Sequence, residues 1–77
     1  MTSYRVMPDT LSKDVVTCLR ALLEDAQAGK LHGIIFAGMY KGKKLITNTA
    51  GEATKSPVFA RGMVAVLDDE VRRLMGK

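Results

Sequence analysis

Residues 31–50 have the sequence LHGIIFAGMYKGKKLITNTA, and this stretch predicts a β-hairpin. Two runs rich in β-forming residues, one ending at Tyr40 and the other beginning at Lys43, flank the dipeptide Lys41-Gly42. A two-residue loop that ends in glycine is typical of a tight hairpin turn, because glycine readily adopts positive φ. Lysine is less usual than Asn or Asp at the first turn position, so a type II′ turn and a wider loop are both alternatives to this turn.

The two-residue turn fixes a predicted register for the strands. The predicted cross-strand pairs are Tyr40 with Lys43, Met39 with Lys44, Gly38 with Leu45, Ala37 with Ile46, Phe36 with Thr47, Ile35 with Asn48, and Ile34 with Thr49. The first strand is apolar on both faces, whereas a strand with one wet face would alternate. A chain with only two helices cannot cover both faces, so we expect another copy to cover the second face or the open edge.

The length of 77 residues predicts one domain, spanning residues 1–77, at the small end of what folds alone. A single cysteine excludes an intrachain disulfide, and one histidine with one cysteine cannot build a structural zinc site within the protomer. Oligomerisation is therefore the predicted source of additional stability. The hydrophobic content of 47% and charged content of 26% are typical of an ordinary globular protein.

The first nine residues lack the apolar core of a signal peptide, and the chain has no apolar run long enough to span a bilayer. The expected location is the cytoplasm, or the host cell cytoplasm if the protein is phage-encoded. No membrane partner is expected.

Helices are predicted on both sides of the hairpin. Asp9 or Ser12 is the predicted N-cap of the first helix, and Gly29 is its predicted end. The last helix is predicted from residue 57 to about residue 75, with Ser56 as N-cap, proline at the first helical position and Gly76 at the end. Its predicted ion pairs are Asp68 with Arg72 and Asp69 with Arg73. The sequence thus predicts an α+β fold with an α-β-β-α protomer, in which homo-oligomerisation completes the sheet and helices.

Positive charge is concentrated on the hairpin and the residues after it. The net charge is +4, yet residues 1–30 cancel to zero, residues 57–77 carry +1 and residues 31–56 carry +3. The lysines of that central segment are Lys41, Lys43, Lys44 and Lys55. Phosphate in some form is the natural partner of such a surface. The alternative is that the lysines only keep a strand edge solvated and resistant to aggregation.

Residues 47–56, TNTAGEATKS, are predicted to be a loop because they are small and polar and have no hydrophobic period. A polar loop that leads into a helix N-terminus is an arrangement typical of anion binding. The spacing excludes a P-loop. His32 has no orienting carboxylate nearby in sequence and Cys18 lies in an apolar helical stripe, so neither is predicted to be catalytic.

The chain resembles small helix-hairpin-helix proteins encoded by phages and prophages. The likeness covers roughly residues 11–75 and rests on a leading helix ending at Ala-Gly, an apolar strand of the kind at 33–37, and the Ala-Gly-Glu-Ala segment at 50–53 before a closing helix with basic residues. In size, charge and expected oligomerisation it is also similar to phage counter-defence sponge proteins. That resemblance implies binding of a cyclic nucleotide or ADP-ribose-like immune signal between subunits.

We therefore expect a non-catalytic protein that sequesters a small phosphorylated, nucleotide-like ligand, with no metal or cofactor. Cations, hydroxyls, an amide and aromatic faces between residues 36 and 61 provide the chemistry such a ligand needs. The candidate ligand-binding residues are Phe36, Tyr40, Lys43, Lys44, Thr47, Asn48, Thr49, Thr54, Lys55, Ser56 and Arg61. The alternatives are a nucleic-acid-binding accessory protein, with weak and non-specific binding, and a protein interaction module that inhibits a host factor.

Overall fold

A computed structural model describes residues 6–8 and 10–76. Its elements are, in order, α1 (Val15–Gln27), β1 (Gly33–Tyr40), β2 (Lys44–Gly51), α2 (Glu52–Lys55) and α3 (Pro57–Met75). The strands form a two-stranded antiparallel sheet, which confirms the α+β class and the central hairpin. The chain divides into two units, one ending at Leu31 and the other beginning at His32. The single domain over residues 1–77 stays a prediction.

In the first unit, α1 begins later than predicted. Its N-cap is Asp14, whose carboxylate accepts hydrogen bonds from the backbone N–H and the hydroxyl of Thr17, both at 2.9 Å. Ser12 is not the cap, because its hydroxyl accepts the N–H of Asp14 instead. The other predicted cap, Asp9, lies outside the described residues. At the far end Gly29 has a φ of +79° and donates its N–H to a carbonyl of the last turn, which confirms a glycine stop.

The Asp14 cap predicts a pH-dependent helix start. The Thr17 backbone N–H, and then its hydroxyl, lower the pKa of Asp14 below the ordinary value of 3.8. Because the folded pKa is lowered, the capping contribution is complete above pH 3.8 and is lost as the pH falls through the lowered pKa. We expect Asp14→Ala to fray the first turn at neutral pH and to remove its response to acid.

The chemical shift of the Thr17 amide, followed by NMR from neutral pH into acid, measures this response. Asp69→Asn, on another exposed carboxylate, serves as the control and should leave the Thr17 titration unchanged. A Thr17 amide that titrates alike with and without Asp14 would show that the cap is misassigned.

In the second unit, the predicted strand register is wrong by one residue. The observed pairs run from Gly33 with Gly51 to Tyr40 with Lys44, so the loop contains three residues, 41–43. Gly42 and Lys43 both have positive φ, +78° and +59°. A shift of one residue moves every β2 side chain to the other face of the sheet. Thr47 and Thr49 consequently share a face with the residues they now oppose, Ala37 and Ile35.

Residues 47–56 are not the predicted loop. Strand β2 continues to Gly51, since each of its residues has a partner on β1, and α2 follows at once. Gly51 has a φ of +68°, which lets the chain turn from strand into helix without a connecting segment. The N–H of Glu52 donates to the carbonyl of His32 at 2.8 Å and ties α2 to the start of β1.

Glycine at position 33 allows this close approach. A Cβ on Gly33 would lie 2.6 Å from the backbone nitrogen of Ala53, closer than side chains are found to approach. Ala53 itself is only 4% exposed. The open end of the hairpin and the short α2 therefore pack backbone against backbone, which requires small residues on both sides.

The predicted bounds of α3 are confirmed, from Pro57 to a C-cap at Gly76. Ser56 occupies the N-cap position, but its hydroxyl makes no capping hydrogen bond. The predicted pair of Asp68 with Arg72 is present at 2.9 Å, whereas the predicted pair of Asp69 with Arg73 is wrong. Arg73 instead contacts Glu70 at 2.6 Å, because positions three apart on a helix are as close as positions four apart.

Candidate functional site

The inner face of the hairpin, defined here as the face that carries Ile35, Ala37, Thr47 and Thr49, is turned toward the helices that follow. The hydroxyl oxygens of Thr49 and Thr54 lie 2.8 Å apart and link β2 to α2. Because Thr49 opposes Ile35, both side chains lie on this face. The position of α2 thus directs α3 across the same side of the sheet.

A cleft of about 540 Å³ lies between the inner face, α2 and α3. This volume is within the range of about 300–1,000 Å³ common for small-molecule sites. Most of the lining is apolar. The lining residues are Ile35, Phe36, Ala37, Thr47, Asn48, Thr49, Ala53, Thr54, Pro57, Ala60, Arg61, Val64 and Leu67.

Two small residues create the space for the cleft. Ala53 and Ala60 are the buried hydrophobic residues of the described chain, at 4% and 7% exposure. Larger side chains on α3, including Val64 and Leu67, line the cleft but remain about half exposed. The cleft therefore has a closed base at the alanines and an open mouth farther along α3.

Arg61 is the one charged side chain that lines the cleft, and among the described residues it has no ion-pair partner. Its position in the first turns of α3 places it beside Ala60, at the base. The charge of the cleft is thus positive and uncompensated. An anionic group on a ligand would find a guanidinium there that can donate two parallel hydrogen bonds.

Polar groups of β2 and α2 add directional contacts. Asn48 opposes Phe36, so both side chains lie on the other face of the hairpin, where the side-chain oxygen of Asn48 accepts the backbone N–H of Thr49 at 2.8 Å. Thr47 offers a hydroxyl on the inner face. Thr49 and Thr54 share one hydrogen bond between hydroxyls, which leaves each oxygen able to accept another.

Six of the eleven predicted ligand-binding residues line this cleft: Phe36, Thr47, Asn48, Thr49, Thr54 and Arg61. The other five do not. Tyr40, Lys43 and Lys44 lie at the tip of the hairpin, and Ser56 joins α2 to α3. Lys55 lies 3.6 Å from Glu52 in an exposed pair.

The sequence interpretation missed the apolar part of the lining. Ile35 and Ala37 belong to the site only because the true register places them beside Thr47 and Thr49. On α3, the spacing of Ala60, Val64 and Leu67 was a usable signal, because it marks one helix face that begins with a small residue.

The described residues contain no cluster of three or more His, Cys, Asp or Glu side chains able to hold a metal ion. Within the same residues, no helix has the combined length and apolarity needed to cross a bilayer. Comparison of the chain with protein-family models, with curated proteins and with solved structures gives no match.

Proposed function

We propose that this protein binds a small phosphorylated, nucleotide-derived ligand in the cleft between the hairpin and α3 and holds it without converting it. The observation that carries the proposal is the convergence of Arg61 and the Thr49–Thr54 hydroxyl pair on one cleft of ligand size. Arg61 binds phosphate, and the hydroxyls bind polar edges of ribose or base.

The chemistry of the lining favours holding over conversion. No carboxylate, imidazole or thiol is among the lining residues, so the cleft offers no ordinary general base and no readily activated nucleophile. Threonine hydroxyls are weak nucleophiles unless a neighbouring base takes the proton. In this proposal the protein is a binding protein and not an enzyme.

A second copy of the chain is part of the proposal. Tight small-molecule sites bury about 70–90% of the ligand surface, whereas the mouth of this cleft is lined by half-exposed Val64 and Leu67. The outer face of the hairpin, defined by Ile34, Phe36 and Ile46, is also apolar, whereas α2 contacts the other face through Thr54 and α3 lines the cleft on that side. We propose that a homo-oligomer covers the outer face and closes the cleft.

The biological role that fits these features is sequestration of a cyclic nucleotide or ADP-ribose-like immune signal by a phage-type protein in the host cytoplasm. Such a role requires affinity and a closed site but no chemistry. It accounts for a cationic cleft without a general base and for an apolar sheet face that needs a partner copy.

Isothermal titration calorimetry against cyclic dinucleotides, cyclic trinucleotides and ADP-ribose isomers tests the proposal. We expect one class to bind and Arg61→Gln to weaken that binding about tenfold to a hundredfold, because a charge-assisted hydrogen bond contributes about 1.5–3 kcal/mol. Arg20→Gln, an exposed arginine on α1, is the matched control and should bind like the parent.

Ligand recovered from the denatured complex should be chemically unchanged. Recovery of a cleaved product would contradict binding without conversion. Equal affinities of the parent and of Arg61→Gln would show that the ligand does not bind in the cleft.

A further inference from the structure

The hairpin tip, defined as residues 39–45 with the sequence MYKGKKL, has no role in the cleft. The observed register makes Met39 and Leu45 a cross-strand pair on the inner face, whereas the predicted register separated them. Met39 is 90% exposed and Leu45 73% exposed. The tip therefore presents two large apolar side chains to solvent, side by side, beyond the part of the sheet that the helices cover.

Three lysines lie close to this apolar pair in the chain. Lys41, Lys43 and Lys44 lie in or beside the three-residue loop, and none makes an ion pair within the described residues. Residues 31–51 contain no aspartate or glutamate. Tyr40, which is 64% exposed and opposes Lys44 on the other face, adds an aromatic ring with a polar end.

We propose that the hairpin tip docks on an anionic lipid bilayer, with Met39 and Leu45 entering the acyl boundary and the lysines contacting lipid phosphates. Apolar side chains flanked by basic ones, with tyrosine at the boundary, are the features of interfacial membrane binding. The tip's charge is complementary to the anionic cytoplasmic leaflet. This proposal departs from the sequence-based expectation of no membrane partner, and it is independent of the ligand in the cleft.

The apolar pair favours a lipid surface over a nucleic acid. Both present phosphates to the lysines, but binding of single strands depends on aromatic side chains that stack on bases, and neither Met39 nor Leu45 has such a face. Burial of the two side chains is favourable only in an apolar medium. A free phosphate or a polynucleotide would engage the lysines and leave this pair in water.

Co-flotation of the intact protein with vesicles tests the proposal. We expect binding to vesicles of phosphatidylcholine mixed with phosphatidylserine, little binding to phosphatidylcholine alone, and weaker binding as salt is added. The triple variant Lys41→Gln, Lys43→Asn, Lys44→Gln should lower the partition coefficient about a hundredfold, at about fivefold per lysine. Asparagine is chosen at position 43 because it tolerates positive φ.

The double variant Met39→Ser, Leu45→Ser isolates the apolar contribution and should also lower vesicle binding at unchanged charge. Its matched control is Val58→Ser, a change at an 86% exposed valine on α3, which should bind like the parent. Circular dichroism confirms that each variant is folded. The proposal is overturned if the folded parent does not bind the vesicles, or if the double variant binds them as well as the parent does. It is also overturned if the protein binds DNA as tightly as the anionic vesicles, or more tightly.

Discussion

Gly51→Ala is expected to lower the free energy of unfolding of the hairpin unit by about 3 kcal/mol or more. Gly51 has a φ of +68° and a ψ of −139°, a conformation that costs a residue with a side chain about 1–3 kcal/mol. A Cβ at this position would also collide with the backbone carbonyl of His32. That carbonyl accepts the hydrogen bond from the Glu52 N–H that connects α2 to the start of β1. If the carbonyl moves away from the new Cβ, this hydrogen bond is lost.

Chemical denaturation followed by circular dichroism measures the effect. Gly62→Ala is the matched control, because Gly62 lies inside α3 and a Cβ there has open space around it. Alanine should be neutral or stabilising at that position, by up to about 1 kcal/mol. Equal unfolding midpoints for Gly51→Ala and the parent would refute the close approach between the hairpin and α2.

Ile46→Glu is expected to raise the dissociation constant of the proposed oligomer at least about a thousandfold, or about 4 kcal/mol. Ile46 lies on the outer face, where its side chain packs over Gly38. If a second copy covers this face, the variant forfeits about 1.5–3 kcal/mol of apolar burial. It also places an unpaired carboxylate in an interface, which costs several kcal/mol more.

Sedimentation velocity at micromolar concentration reports the result as a shift from oligomer to monomer. Met39→Glu introduces the same charge on the inner face, at a side chain that is 90% exposed, and should leave the oligomer intact. A parent protein that is itself a folded monomer, or an Ile46→Glu variant that sediments like an oligomeric parent, would rule out the outer face as the interface.

The parts of the fold set by local chemistry were predictable from the sequence. The bounds of α3 follow from Pro57 at its first position and Gly76 at its end, both of which act within one turn of the helix. The hairpin itself follows from two β-rich runs separated by a glycine-containing turn. These signals depend only on neighbouring residues.

The strand register was not predictable in the same way. It is set by the length of the loop, and the three-residue loop requires positive φ at Lys43. Positive φ at a residue other than Gly, Asn or Asp is uncommon, and nothing in the sequence marks Lys43 for it. The sequence predicts a loop over residues 47–56 because these residues are small and polar and have no hydrophobic period, yet residues 47–51 belong to β2. Their pairing with β1 is a non-local interaction that overrides this weak local preference.

The same limits apply to the candidate site. Thr54 and Arg61 reach the cleft because α2 and the first turns of α3 come after Gly51, where the chain turns back over the sheet. Charge and closeness in sequence predict that the lysines belong to the same site. The structure separates the two sets, since Lys43 and Lys44 lie at the end of the hairpin remote from α2.

Native mass spectrometry is the most direct test of the central claim, that an oligomer of this chain holds a small phosphorylated ligand in the cleft beside Arg61. The protein is measured as purified and again after incubation with the nucleotide panel. The account predicts a homo-oligomer carrying a ligand of nucleotide mass, and an Arg61→Gln variant that keeps the oligomer mass but loses the ligand. A monomer that acquires no ligand from the panel would contradict it.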